Sequence, residues 1–373
     1  MPSLTAKPMP MAILSLALAT LLLLWPCDGR SDTPDPRVKL GPWAGDLKVG
    51  AAMNAAGKNL RECEFVSKYL SGSVFDGSDL SGVRFWNCDL SGASFRGANL
   101  TGAIIDECDV KGADFTDATI QGLRVAGPTD FSAPQFMSTR SYKTKDFRDC
   151  VILIHGDEDL PGGPPVYDFR GANLAGAMLR YMDLTGSDFT DARIDRIQLQ
   201  ACNITLKQLS ATKNFKDRSL RHMVFSVFSD EDPDLSGFDL TGSRFAFGLG
   251  RHARIDGAII NECRIGTSVR KEDLYSTRSY RDGDLSRIVF DHMDLAGWDF
   301  SRQNVTRCKF WQCSLAGANF EGAIITGVSF DRSTDPSLTG PTVEQVKSTW
   351  NYKHGRMAGI VLPKDIAEAV KTK

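Results

Sequence analysis

The sequence predicts an all-β solenoid: a four-sided coil wound around its own side chains, with about four short helical inserts. Three observations predict it. Apolar residues recur every five positions over most of the 373-residue chain. From Leu60 to Leu100 those residues alternate strictly between Leu and Phe. A similar stretch of text also returns four times, at the places where the beat breaks.

The beat is clearest in SDLSGVRFWNCDLSGASFRGANLTGA, residues 78–103. A strand repeats every two residues and a helix every 3.6, so neither accounts for it. Leu60, Phe65, Leu70, Phe75, Leu80, Phe85, Leu90, Phe95, Leu100, Ile105, Val110, Phe115 and Ile120 keep the spacing without a slip. Each of these is a centre. The residue two before a centre is usually small, as at Ser73, Ser78, Ala93 and Ala98. The residue two after is often Gly, as at Gly72, Gly82 and Gly92, with Asn87, Glu107 and Asp117 in some of these places. An extended segment puts the centre and the small residue on one side, and Gly stands where the chain must bend. The product is a coil with flat sides of five residues.

The Leu/Phe alternation fixes the number of sides. Coils stacked about 4.8 Å apart bury best when like lies on like. Three sides would set Phe on Leu in every column. Four sides set Phe65 on Phe85, and Phe75 on Phe95 and Phe115, leaving Leu columns on the other two walls. One coil is then twenty residues, and about a dozen coils make a rod of roughly 55 to 60 Å.

GANL, GASF, GSDL and GADF resemble the A-(D/N)-L-x-x unit of pentapeptide-repeat proteins. The resemblance spans about 47 to 331, with a last piece near 357 to 362. It implies a right-handed quadrilateral β-helix. It implies little about function, because one fold serves many.

The recurring text reads SAPQFMSTRSYK (132–143), TLKQLSATKNFK (205–216), RKEDLYSTRSYR (270–281) and TVEQVKSTWNYK (342–353). Ser132/Gln135, Thr205/Gln208 and Thr342/Gln345 have capping-box spacing, so each insert opens a short helix. Arg270 and Asp273 depart from that pattern. Ten five-residue sides separate one insert from the next. If an insert spans two sides, the larger repeat is three full coils, and the inserts leave one face about 14 Å apart. The expected organisation is a signal peptide or N-terminal membrane anchor (1–29), a Pro-rich linker (30–46) and a first block (47–131). Three insert-led blocks follow (132–204, 205–265, 266–331), then a last insert and C-terminal cap (332–373) closed by Met357, Leu362 and Pro363.

The N-terminal expectation rests on Lys7 and the apolar run from Met11 to Leu24, which is short for a membrane span. A cut after Gly29 exports the chain to the periplasm or the cell exterior; left uncut, the segment anchors it to a membrane. Trp25 and Pro26 stand where a lipid-modified Cys27 would want small neighbours.

Composition is globular, 42% hydrophobic and 24% charged, and the formal net charge of −2 argues against a general nucleic-acid binder. Past the signal there are eight cysteines, Cys63, Cys88, Cys108, Cys150, Cys202, Cys263, Cys308 and Cys313, each two residues before a centre. In that slot Cys is a small core filler, so free buried thiols are expected. No CxxC or Cys/His spacing announces a zinc site, and His155, His222, His252, His292 and His354 fit no catalytic motif. No catalytic residue, cofactor or metal is expected. The weak metal candidates are the carboxylates of two acidic loops, Asp157, Glu158 and Asp159, and Asp230, Glu231 and Asp232, which could offer oxygen ligands to Ca²⁺. Asn99, Asn203 and Asn304 each begin an N-x-T triplet, which the repeat wording itself generates. The inserts would also form a ridge bearing Tyr142, Phe215, Tyr280 and Tyr352 beside Lys143, Lys216, Arg281 and Lys353. Such a ridge is either a contact surface or a packing device.

The function expected is a non-enzymatic, exported structural or interaction scaffold that binds a protein or glycan through its outer faces. Membrane contact is expected only through an uncleaved N-terminal segment. The resemblance also implies an alternative, DNA mimicry directed at gyrase, against which stand Arg84, Arg96 and Lys111 among Asp79, Asp89 and Asp109. A further alternative is a calcium-binding or polysaccharide-acting β-helix.

Overall fold

A computed structural model describes residues 38–39, 48–127, 129, 131–154, 164–225, 233–245, 253–330 and 338–371. The segment 1–29 and the two acidic loops lie outside the described residues. Fourteen strands among the described residues form one sheet in sequence order. Thirteen of them, from Glu64–Val66 to Ser329–Phe330, run parallel to their neighbours. Plain coils advance by twenty residues, with Phe65 opposite Phe85 and Phe85 opposite Ile105. Three further ladders with the same step, such as Tyr69–Asp89–Asp109, Val74–Ser94–Asp114 and Asp79–Asn99–Thr119, make the other walls. The solenoid is quadrilateral. Twelve steps along the strand wall span about 58 Å.

The centres from Leu60 to Ile120 are all fully buried. Phe65 stacks on Phe85 at 5.1 Å, Phe75 on Phe95 at 5.0 Å and Phe95 on Phe115 at 4.9 Å. These two Phe columns belong to opposite walls and mesh through the core, with Phe75 and Phe95 meeting Phe85 edge to face at 5.7 and 6.1 Å. That contact is a second reason for like-on-like stacking, beyond the column itself.

Each wall ends in a turn. At one corner Val83 N–H donates to Leu80 O, and Gly82 takes a φ of +68°. Asn87, Glu107 and Asp117 adopt the same left-handed conformation at +52°, +54° and +59°. Gly is therefore favoured at the bend but not obligatory.

The inserts are helix pairs: α1 (Ala133–Ser138) with α2 (Arg140–Thr144), α3 (Leu206–Ala211) with α4 (Lys213–Lys216), α5 (Lys271–Ser276) with α6 (Arg278–Arg281), and α7 (Val343–Ser348) with α8 (Trp350–Lys353). Three strands separate each pair from the next. The third pair forms despite its departing sequence, because the Asp273 carboxylate accepts the Arg270 backbone N–H at 3.0 Å and ion-pairs its guanidinium at 2.8 Å.

The ends differ from a bare coil. Val38–Lys39, within the expected linker, pairs antiparallel with Phe65 and Glu64, so part of that linker is a strand laid on the first coil. At the other end Val361 bridges Ser329, and Leu362 packs on the core. Beyond Pro363 the expected polar end is a further helix, α9 (Lys364–Lys371), which packs against α7 with Ile366, Ala367, Ala369 and Val370 half-buried. Its five-residue beat is lost there, and a helix covers the exposed end as terminal repeats require.

Candidate interaction surface

All four inserts spring from one wall. The corner residues Asp117, Asp191, Gly257 and Gly322 donate their N–H groups to Ser138 O, Ala211 O, Ser276 O and Ser348 O. Arg140, Lys213, Arg278 and Trp350 in turn donate to Ala118 O, Ala192 O, Ala258 O and Ala323 O. Each corner stands two walls beyond the strand wall of its own coil. The helix pairs therefore line up, three coils apart.

Side chains missed at the level of sequence hold them there. Thr139, Thr212, Thr277 and Thr349 are buried between the two helices of each pair. Each hydroxyl donates to the carbonyl three residues back and accepts the N–H of Tyr142, Phe215, Tyr280 or Tyr352 three residues on. Next to them Ser141, Asn214, Ser279 and Asn351 accept the N–H groups of Ile120, Ile194, Ile260 and Ile325, replacing the wall bonds the helix interrupts. The aligned inserts carry this signal: T is constant in all four, and the residue before the aromatic is always S or N. The capping-box glutamines have a second task. Gln135, Gln208 and Gln345 amides donate to pairs of carbonyls one coil below, Val110 and Ala113, Leu184 and Ser187, and Leu315 and Ala318.

Three of the four ridge aromatics are packing residues. Tyr142 is buried against Phe136 and Phe147, at 5.4 and 5.9 Å, and its hydroxyl accepts Asp168 N–H. Phe215 meets Phe238 at 4.8 Å, and Tyr280 stacks on Tyr275 at 4.3 Å while donating to Asp299 O. Tyr352 is half-buried. Burial pushes the Tyr142 and Tyr280 hydroxyls above the usual phenol range. What the ridge presents outward is the basic set: Lys143, Lys216, Arg281 and Lys353 are exposed. Lys143 reaches Asp117 at 2.7 Å and Lys216 reaches Asp191 at 2.7 Å. The equivalent corners below Arg281 and Lys353 are Gly257 and Gly322, and among the described residues these two cations make no ion pair.

The eight cysteines are free and buried. Desolvation pushes the Cys150 and Cys263 thiols up to about 12, and Cys202 and Cys313 to about 11. Cys308 is raised for the same reason. Cys88 and Cys108 stack one coil apart, and the hydrogen bond between their thiol side chains together with burial raises the Cys108 thiol, while the Cys88 backbone N–H, which donates to Cys108 Sγ, opposes the rise. The Cys88 thiol is lowered by that same side-chain hydrogen bond, and all eight fill the core. Among the described residues no group of three or more His, Cys, Asp or Glu is gathered for a metal. Asp157, Glu158, Asp159, Asp230, Glu231 and Asp232 lie outside the described residues. The triplet residues Asn99, Asn203 and Asn304 each donate a side-chain N–H to the Asp one coil below, Asp79, Asp183 and Asp284.

The remaining outer walls carry paired charges and a shallow groove of about 300 Å³, lined by Ser67, Lys68, Tyr69, Asn87, Asp89 and Glu107 among others. Tyr69 and Trp86 stand exposed beside it, at 74% and 49%.

A sequence model of pentapeptide repeats matches the chain in eight copies, over residues 57–92, 78–117, 168–205 and 304–334. No curated protein matches it. Solved structures similar to it include HetL, a pentapeptide repeat protein involved in heterocyst differentiation regulation in the cyanobacterium Nostoc sp. strain PCC 7120. That likeness is 19% identical over 74% of this chain and 92% of HetL, with a TM-score of 0.22. The full-length plasmid-mediated fluoroquinolone resistance protein QnrB1 is 17% identical over 72% of this chain and 92% of its own, with a TM-score of 0.18. A pentapeptide repeat protein of the Arabidopsis thaliana thylakoid lumen is 21% identical over 41% of this chain and 74% of its own, with a TM-score of 0.14.

Proposed function

We propose that this chain, which belongs to the pentapeptide-repeat proteins, is an exported, non-enzymatic scaffold that binds a protein or glycan through the outer walls of its solenoid. One observation supports this most: the thiols and the polar side chains of the inserts are spent inside the coil. All eight thiols fill the core, and the helix hydroxyls and amides close backbone bonds. The outside is a regular polar array on a rigid rod, which suits recognition better than bond chemistry.

Two experiments test it. A reporter enzyme active only outside the cytoplasm, fused after residue 45, reads export; the expected result is activity and a mature N-terminus at Arg30. A silent reporter removes the export half of the reading. Photo-cross-linking residues placed at Asp89 and Asp109 on one wall, and at Lys143 on another, read partner contact. Adducts from at least one wall are expected, and none from any wall removes the scaffold half.

DNA mimicry is less well supported. Cations stand among the outer carboxylates and pair with some of them across coils, with Arg84 at 3.4 Å from Glu64 and Arg96 at 2.9 Å from Asp114. A gyrase supercoiling assay with micromolar protein is expected to show no inhibition. Calorimetry with millimolar Ca²⁺ tests the acidic loops, and heat or a melting shift there would revive the calcium reading.

A further inference from the structure

The helix pairs hold a charge surplus that the rest of the chain lacks. Helices α1 to α8 contain ten Lys and Arg against three Asp and Glu. That surplus of seven sits in a chain of formal net charge −2. It is ordered in two columns. Arg140, Lys213 and Arg278 open the second helix of their pairs, and Lys143, Lys216, Arg281 and Lys353 follow three residues later, all exposed. With three coils between pairs, the charges repeat about every 14 Å along a straight line of about 43 Å.

Helix stability explains only part of this arrangement, since Lys143, Lys216, Arg281 and Lys353 stand in the last turns of their helices. Cations suit a helix C-terminus and are disfavoured at its N-terminus, yet Arg140, Lys213 and Arg278 stand at the first residue of their helices. Local pairing accounts for part of the charge only: Lys213 with Asp217, Arg278 with Asp282, and Lys143 and Lys216 with the corner carboxylates. Arg281 and Lys353 are unmatched by any such carboxylate. The first two valleys between the pairs hold paired charges, with Arg170 beside Asp168 and Asp188, and Arg254 beside Asp234 and Asp256.

We propose that this ridge binds a linear polyanionic polysaccharide laid along the rod axis, its acidic groups meeting Lys143, Lys216, Arg281 and Lys353. The proposal rests on the scaffold reading and names its partner class. A single straight file of sparse charges fits a single extended chain. A lipid surface would want apolar residues beside the cations, and Tyr142, Phe215 and Tyr280 pack on the core instead. A DNA duplex carries one charge per about 1.7 Å, far denser than cations repeated about every 14 Å.

The test is calorimetric titration of the purified protein with polygalacturonate and with dextran sulfate, uncharged dextran serving as the blank, at low and high salt. The expected result is saturable binding of at least one polyanion that weakens steeply as salt rises. The quadruple variant Lys143→Glu, Lys216→Glu, Arg281→Glu, Lys353→Glu is expected to lose about thirtyfold in affinity. Arg84→Glu, Arg124→Glu, Arg244→Glu, Lys309→Glu makes the same charge change on the strand wall and is expected to change affinity less than about threefold. If the ridge variant melts early, Lys/Arg→Gln at the same four positions replaces it. Equal losses from both walls, no binding of either polyanion, or tighter binding to anionic vesicles or duplex DNA would overturn the proposal. Wall cross-linking reads the scaffold reading separately, so the two can fail independently.

Discussion

The Tyr280 backbone N–H donates to Thr277 Oγ1 at 3.2 Å, and the same hydroxyl donates to Leu274 O at 2.6 Å. One buried side chain thus ends α5 and starts α6. Thr277→Val keeps the shape and deletes both bonds. We expect a loss of about 1–2 kcal/mol in chemical denaturation, with Thr277→Ser restoring most of it. An unchanged Thr277→Val would show that packing alone positions the insert.

Phe95 sits between Phe75 and Phe115 in its column and meets Phe85 across the core. Phe95→Ala empties a site that the rigid coil cannot collapse to fill. It should cost about 3–5 kcal/mol. In a solenoid the damage spreads to nearest neighbours, so hydrogen exchange should rise first in coils on either side.

The coil was legible in the sequence because its cause is local and repeated. Every turn needs the same small residue, centre and bend, so Leu60 to Ile120 state the rule thirteen times. The three-coil spacing of inserts follows from counting sides. The role of the insert aromatics was not legible, because Tyr142 reads the same whether its ring faces Phe136 or solvent. Thr277 and Asn351 are legible only when the four inserts are aligned, because the backbone bonds they close show in no single insert. The end helix α9 escaped because it lies past the last beat and follows a proline.

Native protein should give no Ellman reaction, and all eight core thiols should react after unfolding. Cys150 and Cys263 also predict a pH effect. Folding raises these thiols from about 9 to about 12, because the core resists the thiolate. Their contribution to stability is whole below about pH 9 and is lost as pH climbs through about 12. The melting temperature should fall over that window, and Cys263→Ala should shallow the fall. A flat profile would contradict the thiol assignment.

Ala201 holds a φ of +51° at a bend where Gly is usual. Ala201→Gly should stabilise the fold by roughly 0.5–1 kcal/mol by removing left-handed strain. Gly127→Ala should do the reverse and more strongly. Its φ is +77°, and an added Cβ would stand 2.9 Å from Glu107 N. Paired melting curves of the two variants check both signs.

The alignment of the four inserts on one wall carries both the fold account and the ridge. Spin labels at residues 143, 281 and 353 of a Cys27→Ser chain test it directly, since the eight buried native thiols leave introduced cysteines as the labelling sites. Pulsed electron–electron distances should be about 29 Å for the pair 143–281 and about 43 Å for 143–353, in a ratio of two to three. Distances that depart from that ratio, or a 143–281 separation shortened by passage across the rod, would place the inserts on different walls and contradict the account.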